Sequence, residues 1–489
     1  MLYLSQLFIL KVMLSYRNPP RSGPTMAIAI MALMYNFAWA QKITPQCNDF
    51  DSHFTLTTEQ ISTAGITNLT VNNVEVALNF ERTALAHGLD DDFYTAPENS
   101  STAPAGTLLK LEIDANTTLY TLPPNTALSR IIFQTETLNG TLAPASAYIL
   151  WPYMPRIHKD GYPVVAFAHG NSGVMGACAP SNFRSLQYMF AAPYPIVLDG
   201  YVVVAPDYVG KGVDKYADGS PLYNPILGSP SHANDLFYSV QAAQTAFSSL
   251  SKEFVVMGHS EGGGSAWAAA ERQAVRPVEG YLGSVAGSPV TDTIAIAKLA
   301  NGLVDDLAIL LVNSILGIWP NFNASEILTP AGEKLWKLLQ EIQGCNAVDS
   351  EILTGTGLVK TDWLENFYVN AYGKLIKSGG AKIAGPLLVL QGEADNIVPY
   401  LQTSVAVNET CSAFGDSTLE YATFANVTHV PVLAAAQRLW LDWIRDRFAG
   451  IKIPGGCSAK RYVSARPYQY YQAETSYYLM WADAAYETA

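Results

Sequence analysis

The sequence predicts an α/β fold: a mostly parallel sheet flanked by helices, with an inserted helical cap. Three observations predict it. Strand candidates at about 146–154, 163–169, 200–205, 253–258, 279–286, 385–391 and 417–424 alternate with helical stretches near 181–191, 231–248, 261–275 and 431–448. Such alternation specifies parallel pairing through crossover helices. The stretch from about 291 to 384 breaks the rhythm, being helical in pattern without an evident core strand. Finally, Gly258-His259-Ser260-Glu261-Gly262 lies between the apolar strand Phe254-Val255-Val256-Met257 and the alanine-rich run Gly263-Gly264-Ser265-Ala266-Trp267-Ala268-Ala269-Ala270.

The pentapeptide by itself is a weak signal, and its flanks give it meaning. A strand, a tight turn bearing one serine and a helix form the context of a nucleophile elbow, in which small neighbours permit a strained serine. Ser260 would then project at a helix N-terminus, where partial positive charge favours a developing anion. The competing reading is a glycine-rich strand-to-helix turn with an incidental serine.

A serine nucleophile needs a base. Of the seven histidines, His53, His87, His158, His169, His232, His259 and His429, only the last follows Ser260. The order of the α/β-hydrolase fold is serine, acid, histidine, so His429 is the expected base, in a loop between the strand near 418–423 and the helical run from Pro431 to about Phe448. The acid should leave a parallel strand shortly before it, to fix the imidazole tautomer. Gly385-Pro386-Leu387-Leu388-Val389-Leu390-Gln391-Gly392 reads as that strand, and Asp395 is preferred over Glu393. The longer Glu393 side chain is expected to cap the loop or face solvent.

Acyl transfer also requires donors for the oxyanion, each worth about 2.7–4 kcal/mol. The backbone N–H of Glu261 is one expected donor. The second is assigned to the N–H of Asn171, in Ala168-His169-Gly170-Asn171-Ser172-Gly173 after an earlier strand.

These residues resemble the fungal and bacterial secretory lipases related to the Candida type A lipase. The matching stretches are His169-Gly170-Asn171-Ser172-Gly173 with Cys178-Ala179-Pro180-Ser181, Ala205-Pro206-Asp207-Tyr208-Val209-Gly210, Gly258 to Gly263, Gly392 to Pro399, and His429-Val430-Pro431. The likeness spans about residues 50–457. It implies an α/β-hydrolase core with a helical cap between the elbow half and the acid-bearing half. It implies carboxylic ester hydrolysis with Ser260, Asp395 and His429 as triad, and a lipophilic ester such as an acylglycerol as substrate. Some relatives trim acyl groups from secondary metabolites such as trichothecenes, so a tailoring esterase is the alternative, ahead of an inactive binding module or a peptidase. The resemblance also implies disulfides Cys178–Cys345 and Cys411–Cys457, leaving Cys47 either unpaired or lost with further processing.

The chain start gives the expected compartment. Met26-Ala27-Ile28-Ala29-Ile30-Met31-Ala32-Leu33-Met34 follows Arg17 and Arg21, and Ala38-Trp39-Ala40 has the form of a signal-peptidase site. Residues 1–40 are thus an N-terminal extension and secretory signal, with Met1 or Met26 as initiator. The expected divisions after it are 41–290 and 385–457 for the two parts of the core, 291–384 for the cap, and 458–489 for a tyrosine-rich segment that wraps back onto the domain. Residues 41–145 are expected to form strands and surface loops.

Secretion agrees with seven sequons, at Asn68, Asn99, Asn116, Asn139, Asn323, Asn408 and Asn426. Asn426, near His429, is expected to be enclosed. The net charge of −13 argues against nucleic acid and anionic membranes. No zinc, Walker or Rossmann motif is present, so neither metal nor cofactor is expected. The uncharged stretch Leu307 to Trp319 is too short to span a bilayer, where about 20 residues are needed; it either packs in the core, or lines an acyl tunnel or touches a lipid surface. The expected product is a secreted, extracellular monomer, with no integral membrane segment in the mature chain, acting on lipophilic esters, with a lipid–water interface as a candidate partner.

Overall fold

The computed structural model describes residues 54–299, 305–353 and 357–472. Its centre is a ten-stranded sheet in the order β1-β2-β3-β5-β4-β6-β7-β8-β9-β10. The strands are β1 (Leu108–Glu112), β2 (Thr126–Glu136), β3 (Leu142–Pro152), β4 (Tyr162–Ala168), β5 (Val202–Pro206), β6 (Leu250–His259), β7 (Tyr281–Gly287), β8 (Leu387–Gly392), β9 (Leu419–Phe424) and β10 (Cys457–Tyr462). From β5 through β10 every neighbouring pair is parallel. Strands β1, β2 and β3 extend the sheet antiparallel on the other side. This is the mostly parallel, helix-flanked sheet that the sequence predicts, and all seven strand candidates lie in it.

The core strands are buried on both faces, which explains why β4 and β6 read as continuous apolar runs rather than alternating ones. The chain passes from β4 outward to β5 on one side and returns to β6 on the other. That reversal opens a crevice beyond the carboxyl ends of β4 and β6, where open α/β sheets bind their ligands.

Thirteen helices are described, and the first two correct the sequence reading. Residues 41–145 are not strands and loops alone: α1 (Thr58–Ala64) and α2 (Asn68–Ala84) precede β1. Thr57 and Thr67 cap them through their side chains, a signal present in the sequence. The expected helix near 181–191 is instead a pair of short 3-10 turns around a left-handed run, and the helix α3 follows at Pro193–Leu198. Helix α4 (Ser229–Ala246) and α5 (Glu261–Val275) lie close to expectation.

Between β7 and β8 lie α6 (Thr293–Leu299), α7 (Asp305–Ile318), α8 (Pro330–Ile342), α9 (Asn346–Ile352) and α10 (Phe367–Ile376), the inserted helical region. Its apolar helix α7 packs: Ile309, Leu311, Val312 and Ile315 are fully buried. The Ser314 hydroxyl donates to the Asn224 carbonyl at 3.0 Å and accepts the Ile226 N–H at 2.8 Å. Helix α11 (Tyr400–Ala413) follows β8, and the run expected at 431–448 divides into α12 (Pro431–Ala435) and α13 (Gln437–Phe448).

The start of the expected 458–489 segment forms a strand, β10, that pairs parallel with β9 from Cys457↔Leu419 to Tyr462↔Phe424, and residues 473–489 lie outside the described residues. Both disulfides implied by the resemblance are present. Cys178–Cys345 joins the loop after β4 to the helical insertion, and Cys411–Cys457 joins α11 to β10. Cys47, His53 and residues 1–40, the expected secretory signal, lie outside the described residues. Among the described residues, no helix is long and apolar enough to cross a membrane.

Candidate active site

Strand β6 delivers Ser260 into a turn with φ 60° and ψ −120°, a conformation that L-residues adopt at a cost and that concentrates at functional sites. The turn is fixed on three sides. The Ser260 N–H donates to the Gly287 carbonyl at 2.9 Å, and its carbonyl accepts from Gly264 at 3.0 Å and Val290 at 3.1 Å. Both motif glycines are required by close approach. A methyl group on Gly258 would meet the Gly262 carbonyl oxygen at 2.0 Å, and one on Gly262 would meet the Ala168 oxygen at 2.0 Å. The elbow is therefore wedged against the end of β4, which also carries the His169-Gly170-Asn171 loop.

Asp395 follows β8 and His429 follows β9, and the two side chains meet: Nδ1 of His429 lies 2.8 Å from Oδ2 of Asp395. A carboxylate accepts, so Nδ1 carries the proton and Nε2 is the ring nitrogen left with a lone pair. Both residues are buried. Burial pushes the Asp395 carboxyl up, but the hydrogen bond and charge of His429, with the Val398 N–H, bring it below the usual aspartate value. Its other oxygen accepts the N–H groups of Ile397 at 3.0 Å and Val398 at 2.8 Å. Glu393 neither caps the loop nor stands free in solvent. It forms a bidentate pair with Arg461 of β10, both contacts at 2.7 Å, and accepts the Thr423 hydroxyl at 3.1 Å.

Several positioning residues escaped the sequence reading. Gln391, at the end of β8, donates to Asp395 Oδ2 at 3.1 Å while its carbonyl oxygen accepts from Thr403 at 2.7 Å. His259, inside the pentapeptide, places Nε2 3.1 Å from the His429 carbonyl. A carbonyl can only accept, so Nε2 bears hydrogen and Nδ1 accepts from the Tyr188 hydroxyl at 2.9 Å. Burial, with the nearby charge of His429, depresses the His259 pKa to about 3, so the ring is neutral. Its place in the motif was visible, but it precedes Ser260 and so falls outside the serine, acid, histidine order, and nothing in sequence joins it to Tyr188.

Tyr188 arrives on four successive left-handed residues, Leu186 to Met189, with φ of 53°, 51°, 38° and 31°. A methyl group built on Gly170 would lie 1.9 Å from the Tyr188 hydroxyl oxygen and 3.3 Å from Ser260 Cβ. Tyr188 and Ser260 thus both approach the same face of Gly170. The next residue, Asn171, turns its side chain inward on the loop: Oδ1 accepts the Gly173 N–H at 2.9 Å, and Nδ2 reaches Asn346 of α9 at 3.4 Å.

Glu261 begins α5, with its backbone beside Ser260, while its carboxyl is fully buried. Burial raises its pKa, opposed by the charge of Lys211 and the Leu227 N–H at 2.6 Å. Lys211 is equally buried and donates to the Ser172 hydroxyl at 2.8 Å. Of the sequons, all seven asparagines are exposed, including Asn426, which was expected to be enclosed. Asn426 stands outward on a left-handed turn, φ 62°.

The strained serine turn after β6, the buried Asp395–His429 pair after β8 and β9, and the small-residue loop after β4 all stand at the carboxyl ends of the strands of an α/β-hydrolase sheet. The secretory lipase family model matches residues 183–456, more than half of the chain, and the chain belongs to that family. Lipase 5 of Candida albicans is 24% identical over 400 residues, covering 75% of this chain and 82% of the relative. Among solved structures, Candida antarctica lipase A superposes with a TM-score of 0.61 at 16% identity, covering 77% of this chain and 89% of that one. A rice cell wall degrading esterase from Xanthomonas oryzae gives 0.55 at 17% identity, covering 71% and 99%. At such identities the two structures show the shared fold.

Proposed function

We propose that the protein is a secreted serine hydrolase that cleaves lipophilic carboxylic esters through a covalent acyl-enzyme. The observation that carries this reading is the 2.8 Å contact between His429 Nδ1 and Asp395 Oδ2, which leaves Nε2 as the basic nitrogen, beside an elbow that presents Ser260. His429 takes the Ser260 proton as the hydroxyl oxygen attacks the ester carbonyl, and the backbone N–H groups of Glu261 and Asn171 receive the oxyanion. His429 then returns the proton to the leaving alcohol. Water, deprotonated by the same imidazole, releases the carboxylic acid and restores Ser260.

In this reading residues 291–384 act as a cap that shapes the entrance, 1–40 carry the secretory signal, and the exposed sequons accept glycans. Membership in the secretory lipase family and the two disulfides, which suit an oxidising compartment, support the extracellular assignment. Ser260→Ala tests the chemistry: it is expected to abolish p-nitrophenyl ester hydrolysis and fluorophosphonate labelling while leaving the far-UV circular dichroism unchanged. Labelling that persists at another serine would refute the assignment. A series of esters from acetate to long acyl chains separates a lipase from a tailoring esterase.

A further inference from the structure

Beside the elbow, but not including Ser260, is a cavity of about 620 Å³ bounded by α2, the 183–190 segment and the first turn of α9. Its walls include Phe80, Phe183, Met189 and Phe190, with Tyr188 and Ser172. Its volume is in the range of pockets that bury most of a small-molecule ligand. We propose that this cavity is a substrate subsite that receives one bulky apolar limb of the ester, with Tyr188 as the partition between that limb and the reacting carbonyl. The proposal rests on the reading of Ser260 as nucleophile.

Three features carry it. First, Tyr188 borders both the cavity and Ser260: the point that a Cβ on Gly170 would occupy is 1.9 Å from the Tyr188 hydroxyl oxygen and 3.3 Å from Ser260 Cβ, and glycine leaves that space open. A limb lying against Tyr188 therefore extends from an ester whose carbonyl sits at Ser260. Second, the wall is built at a cost. Four consecutive non-glycine residues in the left-handed region bring Gln187, Tyr188 and Met189 to the cavity, and such strain persists where surrounding structure enforces it. Third, the opposite wall is held rigid. The Glu81 carboxylate accepts the N–H groups of Cys345 at 2.8 Å, Ala347 at 2.8 Å and Val348 at 3.0 Å, capping α9, and Cys345 is bonded to Cys178. A preformed apolar space favours a limb that fills it, because binding then orders little of the protein.

The experiment fills the cavity from the α9 side, with Ala347→Trp and Ser350→Phe, and enlarges its rim with Phe190→Ala. Each protein is assayed on two ester series. In one the acyl limb grows from p-nitrophenyl acetate to octanoate; in the other the alcohol limb grows from ethyl to cyclohexyl and menthyl acetate. The filling variants are expected to lower the bulky-to-small ratio of kcat/KM at least tenfold in one series, through a raised KM, and the series affected identifies the limb. Phe190→Ala is expected to shift the same ratio by more than threefold. Folded variants, checked by their melting temperatures and fluorophosphonate labelling, that leave both ratios within twofold of the parent would overturn the subsite. Failure of the parent protein to label at Ser260 or to hydrolyse any ester would instead refute the underlying reading.

Discussion

His259 Nε2 donates to the main-chain carbonyl of His429 at 3.1 Å, so the residue preceding the candidate nucleophile holds the loop bearing the candidate base. The two rings also lie 4.5 Å apart, centre to centre. His259→Ala removes that donor and is expected to lower kcat by roughly 10- to 100-fold with little change in KM, by analogy with the cost of misplacing a catalytic group. His259→Gln retains an N–H at a comparable distance from the backbone and should recover most of the loss. Steady-state kinetics on a p-nitrophenyl ester checks both; equal activity in the alanine and glutamine variants would make His259 a packing residue.

Asp395 and Glu393 are distinguished by a paired substitution. Asp395→Asn keeps an oxygen for the Ile397 and Val398 N–H groups, yet offers His429 the wrong partner. It is expected to lower kcat by about 10⁴-fold, as for an acid that fixes the histidine tautomer. Glu393→Gln weakens the pair with Arg461, which is more than half exposed, and should leave kcat within about twofold. Parallel kinetics with thermal melts decides the assignment.

The pH dependence of stability follows from buried carboxyls. Burial raises Glu81, Asp235 and Glu271 to about 7. A raised carboxyl pKa means that the folded state binds the proton more tightly. The associated stability is complete below the unfolded values near 4 and is lost as pH rises through 7. Asp395 is lowered and acts in the opposite sense, losing its contribution as pH falls below about 4. Urea midpoints are expected to be highest near pH 5 and to decline by pH 8. Glu271→Gln should flatten that decline, and a midpoint that rises from pH 5 to 8 would contradict the account.

Cys178 and Cys345 are separated by 167 residues, so their bond closes a long loop in the unfolded chain. The chain-entropy estimate for such a loop is about 5 kcal/mol. Replacing both by alanine is expected to lower the melting temperature by several degrees or more. The change should exceed that from removing Cys411–Cys457, whose loop spans 46 residues. Differential scanning calorimetry of the two double variants measures the order.

The parts legible in the sequence were those governed by local pattern. Apolar runs placed β3 to β9, glycine spacing placed the Ser260 elbow, and chain order left His429 as the one base and Asp395 as the preferred acid. Where local signals were weak or competed, the reading failed. Residues 181–191 carry helix-forming side chains, but Leu186 to Met189 form a left-handed run from which Tyr188 reaches His259. Strands β1 and β2 and the edge strand β10 lack a clear alternating pattern and were placed by their pairing within the sheet.

By itself, the sequence determined the α/β class and the order of serine, acid and histidine, because periodicity and order are local properties of the chain. Tertiary structure decided that Glu393 is bound to Arg461 and that Asp395 meets His429. It also linked Tyr188, His259 and His429, and enclosed a cavity between α2 and α9. Each of these depends on side chains tens to hundreds of residues apart, whose contact is fixed by how the sheet is ordered and by which buried polar groups must be satisfied.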